Sequence, residues 1–577
     1  MTDLVELAKR RGFFFGSSEP YGGVAGFYTY GPQGAALKRN VESAWRDRFT
    51  VREGHTEIDA PTVMPGAVFE ASGHLDGFDD MLVDCAGCGA SHRADHLVED
   101  VTELADAEAL PTDEVADLIA DHGIACPECD ESLAGQPVET FNLMFETTIG
   151  PGSSSPGYLR PETAQGTFVD FPRLAEYARN QLPFGVTQIG SAYRNEISPR
   201  GGLLRLRELT QAELEHFVHP ERDDPDIAPV AEESLPLYAA ADQEGEGSTE
   251  TMTVAEAVDR GVVDSEWIAY YLGRARRWFV RIGVDPERLR FRQHTTGELA
   301  HYASDCWDAE ADVGDGESDW IELAGFAYRG DYDLSKHAAH ASEEYTVFEQ
   351  YDRSETVERA TVDPDMSYLG PEFGGAAEGI ADALERLAER DRAAFDGDEV
   401  VVEVDGEGYT VPVERTGFGI EAVTKSGEHV RPHVVEPAFG VDRAVCAVLA
   451  HNLRTDEVDD EDRTYLSLPP EVAPTLAGVF PLMTRDGLDF RAENLAEDLQ
   501  AAGLAVTYDD SGAIGRRYRR QDEIGTPYCV TVDYDTLEDD TVTIRDRDST
   551  DQRRVPIDDL AETLAALRDG GLAFDDL

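Results

Sequence analysis

Apolar residues recur along the whole chain at the spacings of buried helices and strands. Between residues 31 and 50 they repeat at four-residue intervals, which predicts an amphipathic helix that begins after Gly31-Pro32. The apolar stripe of this helix consists of Leu37, Val41, Trp45 and Phe49. Residues 55–65 then predict a strand that closes on Pro61 and Pro65.

The middle of the chain changes its pattern several times. Residues 141–217 alternate extended runs with loops rich in Gly and Pro, and the acidic stretch 219–250 is predicted to be an inserted loop. The periodicity predicts helices at 267–282 and near 376–394, and a hairpin at 399–413. Strands and helices are therefore mixed here, without an internal repeat.

The pattern changes again after residues 456–474, which are acidic and then rich in Pro, and which we interpret as a linker. Beyond them, strand-like runs alternate with a helix that ends at Gly503 and a last helix at 558–569. This alternation predicts a compact α/β domain of about 100 residues at the C-terminal end.

The charge of the chain is strongly negative. It carries 117 acidic and 49 basic residues, for a formal charge of −68, and only four of the basic residues are lysines. The acids are spread along the chain, which favours a surface adapted to high salt, as in a halophile, over an acidic interaction tail. At molar salt the Debye length is about 3 Å, so the self-repulsion of such a surface is screened. Taken alone, the charge argues against a nucleic-acid partner.

Length and termini indicate a large soluble protein. The 577 residues allow three or four domains. The N-terminal residues lack the apolar core and cleavage site of a secretory signal, and no apolar stretch is long enough to predict a membrane span. The seven cysteines, an odd number with paired spacing, suit a reducing cytoplasm better than a disulfide framework.

Four cysteines form two CxxC pairs that bracket an acidic, helix-like stretch at 96–110. The pairs are Cys85 with Cys88 and Cys126 with Cys129. Two such pairs can supply four thiolates to a structural Zn²⁺ ion, and the alternative is a metal-free pair of hairpins with reduced thiols. We interpret the nearby His92 and His96 as solvated or core residues. The three other cysteines lie in apolar contexts and are interpreted as core residues: Cys306, Cys446 and Cys529.

A nucleotide site, if present, needs an unusual architecture, because the chain contains neither a P-loop nor a dinucleotide-binding glycine motif. The segment 191–217 offers one. Arg194 and Glu196 lie two apart on a predicted strand and so share a face. Arginines around the following loop could clamp phosphates, and an acid beside them could accept from an amino group. The arginines are Arg194, Arg200, Arg205 and Arg207. The alternative is a surface hairpin of ion pairs.

A second candidate anion site lies at 436–449. A glycine in a tight loop leads into a predicted helix, and Arg443 near the helix start would lie at its positive end. The alternative is a helix-capping loop without a ligand. The helix and strand at 31–65, taken alone, are better explained as an ordinary helix packed on a sheet.

In this order, the segments 31–65, 191–217 and 436–449 resemble motifs 1, 2 and 3 of the class II aminoacyl-tRNA synthetases. From about residue 4 to the end, the chain resembles the dimeric glycyl-tRNA synthetases of archaea and eukaryotes. The stretches that carry the resemblance are YGPQGAALKRN (30–40), RADH (93–96), RPETAQG (160–166), RNEISPR (194–200), the IELAGFAYRGDYDLSKH region (321–337) and EPAFGVDR (436–443).

The resemblance implies an α+β fold, in which a class II catalytic domain with an antiparallel sheet flanked by helices precedes a C-terminal α/β anticodon-binding domain. It also implies a homodimer, formed through the motif 1 helix and strand. The implied divisions are 1–84 with motif 1, 85–130 as a zinc-type insertion, 131–218 with motif 2, 219–290 as an acidic loop and helical insertion, 291–455 with motif 3, 456–474 as the linker and 475–577 as the anticodon-binding domain.

The reaction implied by the resemblance is the ATP-dependent attachment of glycine to tRNA(Gly) through glycyl-adenylate, with release of AMP and pyrophosphate. Arg194 would bridge the glycine carboxylate and the α-phosphate, Glu196 would read the adenine amine, and Arg443 would hold the γ-phosphate. Glu322 would contact ATP, through Mg²⁺. The implied ATP-binding set is Arg194, Asn195, Glu196, Leu204, Arg205, Leu206, Arg207, Glu208, Leu209, Glu322, Leu323, Gly440, Val441, Asp442 and Arg443.

A glycine pocket is implied as well. Its carboxylates would pair with the α-amino group, which needs a partner when it is desolvated. A pocket that excludes one methyl group rejects larger amino acids sterically, so an editing domain is not required. The implied set is Arg93, Glu162, Leu209, Thr210, Gln211, Ala212, Glu213, Glu436, Pro437, Ala438, Phe439 and Gly440. Because Arg93 follows the first cysteine pair, we hypothesise that zinc fixes the loop that carries it.

Two positions depart from the family pattern. Leu209 stands where the family usually has an aromatic residue that stacks on adenine, so aliphatic packing must replace stacking. Ala438 stands where the family commonly has a serine that contacts the glycine site, so this hydroxyl contact is absent.

The segment 515–533 resembles the anticodon-binding domain shared by the glycyl, histidyl, prolyl and threonyl enzymes. Arginines around an aromatic residue suit a splayed single-stranded loop, because they combine phosphate contacts with stacking. The candidates are Arg516, Arg517, Tyr518, Arg519 and Arg520. The alternative is an ion-paired solvent face.

Two other functions compete with this interpretation. A relative could charge another amino acid, although RPETAQG and the crowded acids argue against it. The accessory subunit of mitochondrial DNA polymerase resembles this fold but binds DNA without charging anything, and such a protein should have lost the catalytic residues. Here Arg194, Glu196, Glu322 and Arg443 are all present, which favours an enzyme.

Overall fold

A mostly antiparallel sheet of nine strands lies at the centre of the larger of two units. The units are Met1–Tyr345 with Arg431–Leu577, and Thr346–Val430. The computed structural model describes all residues except 1, 103, 105–106, 153–154, 200, 223, 244–246, 296–297, 299–303, 315–317, 405 and 459–460.

The nine strands come from distant parts of the sequence. In spatial order they are Glu250–Thr253, Ser234–Tyr238, Leu289–Gln293, Asp305–Asp312, Trp320–Gly330, His433–Gly440, Glu208–Val218, Phe184–Tyr193 and Thr56–Glu57. Only the pairs Ser234–Tyr238 with Leu289–Gln293 and Thr56–Glu57 with Phe184–Tyr193 are parallel among these strands. The predicted antiparallel sheet is therefore confirmed.

Three helices cover this sheet and bury its apolar side chains. They are Pro32–Trp45, Glu266–Ile282 and Val441–Asn452. The apolar stripe predicted for the first helix is confirmed, since its four residues are all at most 1% exposed. After this helix the chain continues into a π-helical turn at Arg46–Val51. Trp45, Phe49 and Trp278 surround Phe439 of the sheet at ring distances of 5.9, 4.8 and 5.3 Å. The motif 1 and motif 3 segments thus share one core.

Three predictions for this unit were wrong in detail. Residues 55–65 form two short strands, Thr56–Glu57 and Val63–Pro65, because Pro61 has no N–H group to continue the hydrogen-bonded ladder. The acidic stretch 219–250 contains the strand Ser234–Tyr238, whose Leu235 and Leu237 are buried. The alternating region 141–217 also contains a helix, Ala164–Tyr177, which Pro172 and Gly166 obscured in the sequence.

The cysteine-containing segment forms a small lobe of its own. Its sheet consists of Asp79–Asp84, Ser91–Arg93 and Val138–Asn142, and its helices are Ala94–Glu99 and Thr112–Asp121. Apolar side chains such as Val83, Val98 and Ile119 form a separate core. The helix predicted over 96–110 is confirmed only to Glu99, and residues 103, 105 and 106 of that stretch lie outside the described residues.

The C-terminal region is the predicted α/β domain. Its sheet has the order Val506–Tyr508, Ala477–Pro481, Tyr528–Val532, Thr541–Asp546 and Gln552–Pro556, with the first three strands parallel. The helices Leu488–Ala501, Ile514–Glu523 and Ile557–Arg568 complete it. The helix predicted to end at Gly503 does so through a left-handed glycine with φ of +83°.

The segment interpreted as a linker, 456–474, is not one. Leu453–Val458 pairs with Glu461–Leu466 in an antiparallel hairpin. Arg463 is 1% exposed and donates to Asp522 at 3.2 Å and to the carbonyl oxygen of Arg547 at 2.7 Å. The acidic sequence suggested a solvent-exposed segment, but the buried Arg463 within it binds the segment to the C-terminal domain.

The second unit, Thr346–Val430, was not separated from the catalytic domain by the sequence pattern. It contains a ribbon of Val347–Thr361 with Gly419–Val430 and the predicted hairpin, Glu399–Val404 with Glu407–Pro412. The helices Met366–Phe373 and Ala377–Arg390 pack with them around a core that includes Ile380 and Leu384.

The remaining elements of the larger unit are short. The helices are Thr2–Arg11, Gly66–Ser72, His74–Gly77, Ala240–Gln243, Val254–Asp259, Tyr332–His340 and Thr536–Asp539, and the strands are Phe14–Gly16, Tyr28–Tyr30, Phe145–Thr148 and Pro156–Leu159. Within the described residues, no helix has the length and apolar character needed to cross a membrane.

Candidate active site

A cavity of about 240 Å³ opens on the central strands, where the motif 2 and motif 3 segments lie side by side. Its walls come from Glu208–Val218, Trp320–Gly330 and His433–Gly440, together with the loop at 203–206. Side chains on alternate strand positions face it, because successive residues of a strand point to opposite faces. The three strands therefore determine which acids and arginines meet.

Arg194 occupies a central position in this cavity. Its Nε donates to the carbonyl oxygen of Pro161 at 3.2 Å, and its guanidinium lies 5.6 Å from the ring centroid of Phe78. The charge of Arg194 helps to lower the pKa of both Glu162 and Glu322, after larger contributions from other groups. Arg194 therefore shares the cavity with the carboxylates described below.

Glu196 is buried and paired. Its carboxylate accepts from Arg205 Nε at 2.6 Å, and Arg205 also lies 3.5 Å from Asp80. Asp80 in turn lies 2.9 Å from Arg93, which also pairs with Asp95 and Glu108. Arg93 is thus joined to Glu196 through three ion pairs, although it does not itself line the cavity within the described residues.

Arg443 extends from the first turn of its helix into the cavity. It donates to the carbonyl oxygen of Leu204 at 3.0 Å and to Glu322 Oε2 at 2.9 Å. Arg443 is the main cause of the lowered pKa of Glu322, so this carboxylate is ionised. An ionised carboxylate beside an arginine is a suitable neighbour for a hard cation such as Mg²⁺.

Two further carboxylates line the cavity near the start of helix Ala164–Tyr177. Glu213 accepts from the backbone N–H of Ala164 at 2.7 Å and from the Thr163 hydroxyl. Burial and the nearby Glu162 raise the pKa of Glu213. Burial also opposes ionisation of Glu162, but His74, Arg329 and Arg194 outweigh it and lower the pKa of Glu162.

Glu436 is the third carboxylate, and it contacts an arginine that the sequence analysis missed. Arg329 lies 3.1 Å from Glu436 and is held by Asp333 through bonds of 2.7 and 2.9 Å. Burial raises the pKa of Glu436 to about 8, despite the opposing charge of Arg329. The three buried carboxylates outnumber the cation beside them, an arrangement that favours a bound ammonium group.

The structure places the predicted residues in two groups. The cavity is lined by Glu162, Arg194, Glu196, Leu204, Arg205, Leu206, Leu209, Thr210, Gln211, Glu213, Glu322, Glu436, Ala438, Phe439, Gly440, Asp442 and Arg443. Among the described residues, Arg93, Asn195, Arg207, Glu208, Ala212, Leu323, Pro437 and Val441 do not line it. Arg200 lies outside the described residues.

The predicted residues that do not line the cavity are held elsewhere by identifiable contacts. Arg207 is held by the carbonyl oxygens of Glu196 and Ala25, and Glu208 is exposed. Ala212, Leu323 and Val441 are at most 1% exposed and belong to the core beneath the cavity. Adjacency in sequence had placed these residues in the site. Ala212 and Leu323 lie on strands and face the core, while Val441 faces the core from the first turn of its helix.

Besides Arg329, three polar residues on neighbouring strands were missed. His294 Nε2 lies 2.8 Å from Asp308, which raises the pKa of His294 to about 11 although burial alone would lower it. His294 and Cys306 also line the cavity. A signal for Arg329 was present in the sequence, since it is the only basic residue in the strand Trp320–Gly330.

The two departures from the family pattern lie in the cavity wall. Leu209 is half-buried and packs against the large core, and Ala438 stands opposite Gly325 in the neighbouring strand. Leu209 therefore gives the cavity wall an aliphatic surface rather than an aromatic ring.

The four paired cysteines come together in the small lobe. Sγ of Cys85 lies 3.6 Å from that of Cys129, and Sγ of Cys88 lies 3.7 Å from that of Cys126. All four sulfur atoms lie within 4.8 Å of one another. In a tetrahedral site with Zn–S bonds of about 2.3 Å, neighbouring sulfur atoms are about 3.8 Å apart. The cluster therefore fits a zinc ion.

The arginine-rich helix of the C-terminal domain differs from the prediction. Arg517 is 2% exposed and donates to the carbonyl oxygens of Pro481, Asp510 and Gly512. The Tyr518 hydroxyl bonds Thr531 at 2.7 Å, and Arg545 lies over its ring. Arg520 bonds Asp509 and Arg519 bonds the carbonyl of Val458. Only Arg516 of the five candidates is exposed.

Comparison with known proteins identifies the two regions. The family of the tRNA synthetase class II core domain (G, H, P, S and T) matches residues 155–241, and the anticodon binding domain family matches residues 477–567. The chain is 47% identical to a glycine–tRNA ligase of Methanothrix thermoacetophila, over 99% of this chain and 97% of that protein. A glycine–tRNA ligase of Methanothermobacter thermautotrophicus is also 47% identical, over 97% of this chain and 98% of that one.

The chain belongs to the glycine–tRNA ligase family. It is therefore a class II aminoacyl-tRNA synthetase, an enzyme class that activates its amino acid with ATP and Mg²⁺. A solved prolyl-tRNA synthetase of Cryptosporidium parvum, complexed with L-proline and AMP, shares the fold, with a TM-score of 0.51 at 11% identity over 98% of this chain and 75% of that chain. The glycine–tRNA ligase family confirms the resemblance found in the sequence, including the C-terminal domain.

Proposed function

We propose that the cavity binds glycine among Glu162, Glu213 and Glu436 and binds ATP between Arg194 and Arg443, and that the chain thereby forms glycyl-adenylate and charges tRNA(Gly). The observation that carries this proposal is that Arg194 lines one cavity together with the carboxylates Glu162, Glu213, Glu436 and Glu322 and with Arg443. One guanidinium can then contact the attacking carboxylate and the α-phosphate together.

The reaction needs no protein nucleophile. The glycine carboxylate attacks the α-phosphorus and displaces pyrophosphate, and the 3′-terminal ribose hydroxyl of tRNA then attacks the adenylate carbonyl and releases AMP. Arg194 stabilises the charge that develops at phosphorus, while the three carboxylates hold the ammonium group. Glu196 accepts from the adenine amine once Arg205 turns to the phosphates, and Arg443 holds the γ-phosphate.

The cation beside ATP would lie at Glu322, and it supplies charge neutralisation for the phosphates. Glu322 is suited to this role because Arg443 keeps it ionised. Leu209 packs on the adenine. A glycine pocket that has no space for a further methyl group would reject larger amino acids sterically, without editing.

The direct test is ATP–pyrophosphate exchange with each amino acid, in molar KCl because of the charge of −68. We expect exchange with glycine alone. Exchange with alanine but not glycine would contradict the specificity, and absence of exchange with every amino acid would favour a non-catalytic relative that only binds nucleic acid. The convergence of Arg194, Glu196, Glu322 and Arg443 on one cavity favours the enzyme.

The cysteine cluster is proposed to hold a structural Zn²⁺ through Cys85, Cys88, Cys126 and Cys129. The strand Ser91–Arg93 begins three residues after Cys88, so the ion would order the strand that ends in Arg93. A Cys85→Ser variant should lose zinc, measured by elemental analysis, and should show a raised KM for glycine. Unchanged zinc content and unchanged KM would contradict this coupling, and a Cys529→Ser variant is the matched control.

We further propose a cytoplasmic homodimer. All seven cysteines are unpaired, as in a reducing compartment. The motif 1 helix and strand, Pro32–Trp45 and Thr56–Glu57, are the expected interface. Light scattering during size-exclusion chromatography should give a mass close to twice 63.3 kDa, and a monomeric mass would contradict the proposal.

A further inference from the structure

A buried ionic network lies behind the cavity and joins its three motif segments. Asp442, in the first turn of helix Val441–Asn452, is 4% exposed. One of its carboxylate oxygens accepts from the Tyr30 hydroxyl at 2.5 Å, and the other accepts from the backbone N–H of Thr210 at 2.5 Å. Asp442 was implied to bind ATP, but both oxygens already have protein partners.

Lys38 supplies the positive charge of this network. Its Nζ donates to the Thr210 hydroxyl at 2.6 Å and lies 5.1 Å from the ring centroid of Tyr30. Burial raises the pKa of Asp442, and the charge of Lys38 is the largest opposing influence. Lys38 is one of only four lysines in a chain whose other basic residues are arginines.

The network is connected to the ATP side of the cavity at two points. Thr210 follows Leu209, which forms part of the cavity wall, and Asp442 precedes Arg443, which reaches Glu322. Lys38 itself lies on the motif 1 helix, whose core residues pack against helix Val441–Asn452. A shift of Asp442 would therefore move the backbone that carries Arg443.

We propose that Lys38 and Asp442, joined through the hydroxyl and the backbone N–H of Thr210, form a positioning device for ATP, which holds the Arg443 helix and the Leu209 strand in register with the motif 1 helix. The inference rests on the proposed function, because it assigns these two residues to adenylate formation. Asp442 borders the cavity, but Tyr30 and Thr210 hold both its carboxylate oxygens, and Lys38 is not among the described residues that line the cavity, so we expect both to act through Arg443 and Leu209.

Other ionisable groups near Asp442 make its charge sensitive to the loss of Lys38. Glu42 lies 3.6 Å from Lys38 on the same helix, Tyr30 faces Asp442 from the strand Tyr28–Tyr30, and Cys446 lies one turn along the Asp442 helix. These groups are acids, and the charge of Lys38 is the largest influence that lowers the pKa of Asp442 against burial. The loss of Lys38 should therefore raise the pKa of Asp442 further, so that a larger share of its carboxyl group is neutral at a given pH.

The test is a Lys38→Met variant, assayed by glycine-dependent ATP–pyrophosphate exchange between pH 6.5 and 9. At pH 7 we expect the KM for ATP to rise about tenfold and the KM for glycine to change less than about twofold. The defect should diminish as the pH rises, because Asp442 regains its charge. A Lys38→Arg variant should retain most of the function, and Lys9→Met, which removes an exposed lysine paired with Glu19, should match the wild type.

A double variant with Asp442→Asn strengthens the test. An asparagine can accept from Thr210 without a counter-charge, so Lys38→Met with Asp442→Asn should lose less than the product of the two single losses, and its loss should not depend on pH. Should Lys38→Met fail to fold, Tyr30→Phe removes one donor to Asp442 and should raise the KM for ATP several-fold with unchanged KM for glycine.

The outcomes separate this inference from the proposed function. A uniform loss of kcat that is independent of pH, with equal changes in both KM values, would overturn the positioning role and leave glycine activation intact. Wild-type behaviour of Lys38→Met would overturn it as well. Absence of exchange in the wild-type enzyme would instead contradict the proposed function itself.

Discussion

The active cavity and the C-terminal domain both contain clustered charges. The two regions differ in how far their carboxylates are paired with arginines. In the C-terminal domain, Asp522 is 1% exposed and meets both Arg463 and Arg545, at 3.2 and 3.0 Å. In the cavity, Glu436 lies 3.1 Å from Arg329, which Asp333 also engages, and Glu162 and Glu213 line the same cavity. The first cluster is complete without a ligand, whereas the second has more carboxyl groups than arginines.

The arginines show the same contrast. Arg517 is bonded to three backbone carbonyl oxygens, which cannot move without unfolding the loops that carry them. In the cavity, Arg205 and Arg443 are bonded to the side chains of Glu196 and Glu322, which can exchange partners. An arginine held by carboxylates at a cavity is thus ready for a phosphate, and one held by backbone carbonyls is part of the fold.

The largest expected effect comes from Arg194. An Arg194→Gln variant should lose about 10³-fold in kcat/KM for ATP–pyrophosphate exchange, because its charge is needed in the transition state. Its thermal unfolding should match the wild type, since the guanidinium has one backbone partner. The control is Arg173→Gln, an exposed arginine paired with Glu176. A large loss of stability in Arg194→Gln would contradict the contrast between arginines that serve the cavity and arginines that stabilise the fold.

Arg517 should behave in the opposite way. An Arg517→Met variant leaves three carbonyl oxygens without their donor, and we expect about 3 kcal/mol lower free energy of unfolding. Denaturant titration measures this loss. Glycine-dependent ATP–pyrophosphate exchange should persist at denaturant concentrations below the unfolding transition, because the cavity lies in another domain. Stability equal to that of the wild type, together with a loss of tRNA charging, would restore Arg517 as a ligand-binding residue.

The excess of acid in the cavity predicts a pH dependence. Burial raises the pKa of Glu436 to about 8, so at pH 7 this carboxyl is mostly neutral and cannot pair with the glycine ammonium group. Between pH 7 and 9 it ionises, and the KM for glycine should fall about tenfold. In Glu436→Gln the KM should remain high across this range. A KM that rises with pH in the wild type would show that the neutral form binds glycine.

The smallest effect is expected at Arg516. Because its side chain is exposed, Arg516→Met should change the free energy of unfolding by less than about 0.5 kcal/mol. If it contacts a tRNA phosphate, the KM for tRNA should rise a few-fold, and this rise should shrink at higher salt. Equal charging by Arg516→Met and the wild type at every salt concentration would exclude the whole helix Ile514–Glu523 from tRNA binding.

Much of the fold was predictable from local signals. The four-residue spacing from Leu37 to Phe49 identified a helix, since a stripe of that period can be buried only on a helical face. The helix Glu266–Ile282 was found in the same way, and the hairpin at 399–413 was found from its strand-like runs around a turn. The single strand predicted at 55–65 is divided into two short strands, and the helix Ala164–Tyr177 was missed, because prolines and glycines act through tertiary contacts as well as through local propensity.

The site was predictable in its residue types more than in its geometry. Motif order brought Arg194, Glu213 and Glu436 into one cavity, as the resemblance implied. The sequence could not show that Arg329 pairs with Glu436, because their contact joins residues 107 positions apart. Nor could it show that Arg517 is buried, since a basic helix has the same sequence whether carbonyl oxygens or solvent surround it.

The hairpin of Leu453–Val458 and Glu461–Leu466 determines where the polypeptide can be divided. A fragment that starts at residue 475 would lose Arg463 and leave Asp522 with one of its two buried cations. We therefore expect limited proteolysis to spare this region, and a separately expressed C-terminal domain to need the hairpin. The structural boundary of the anticodon-binding domain therefore lies some twenty residues before the start of the family match at residue 477.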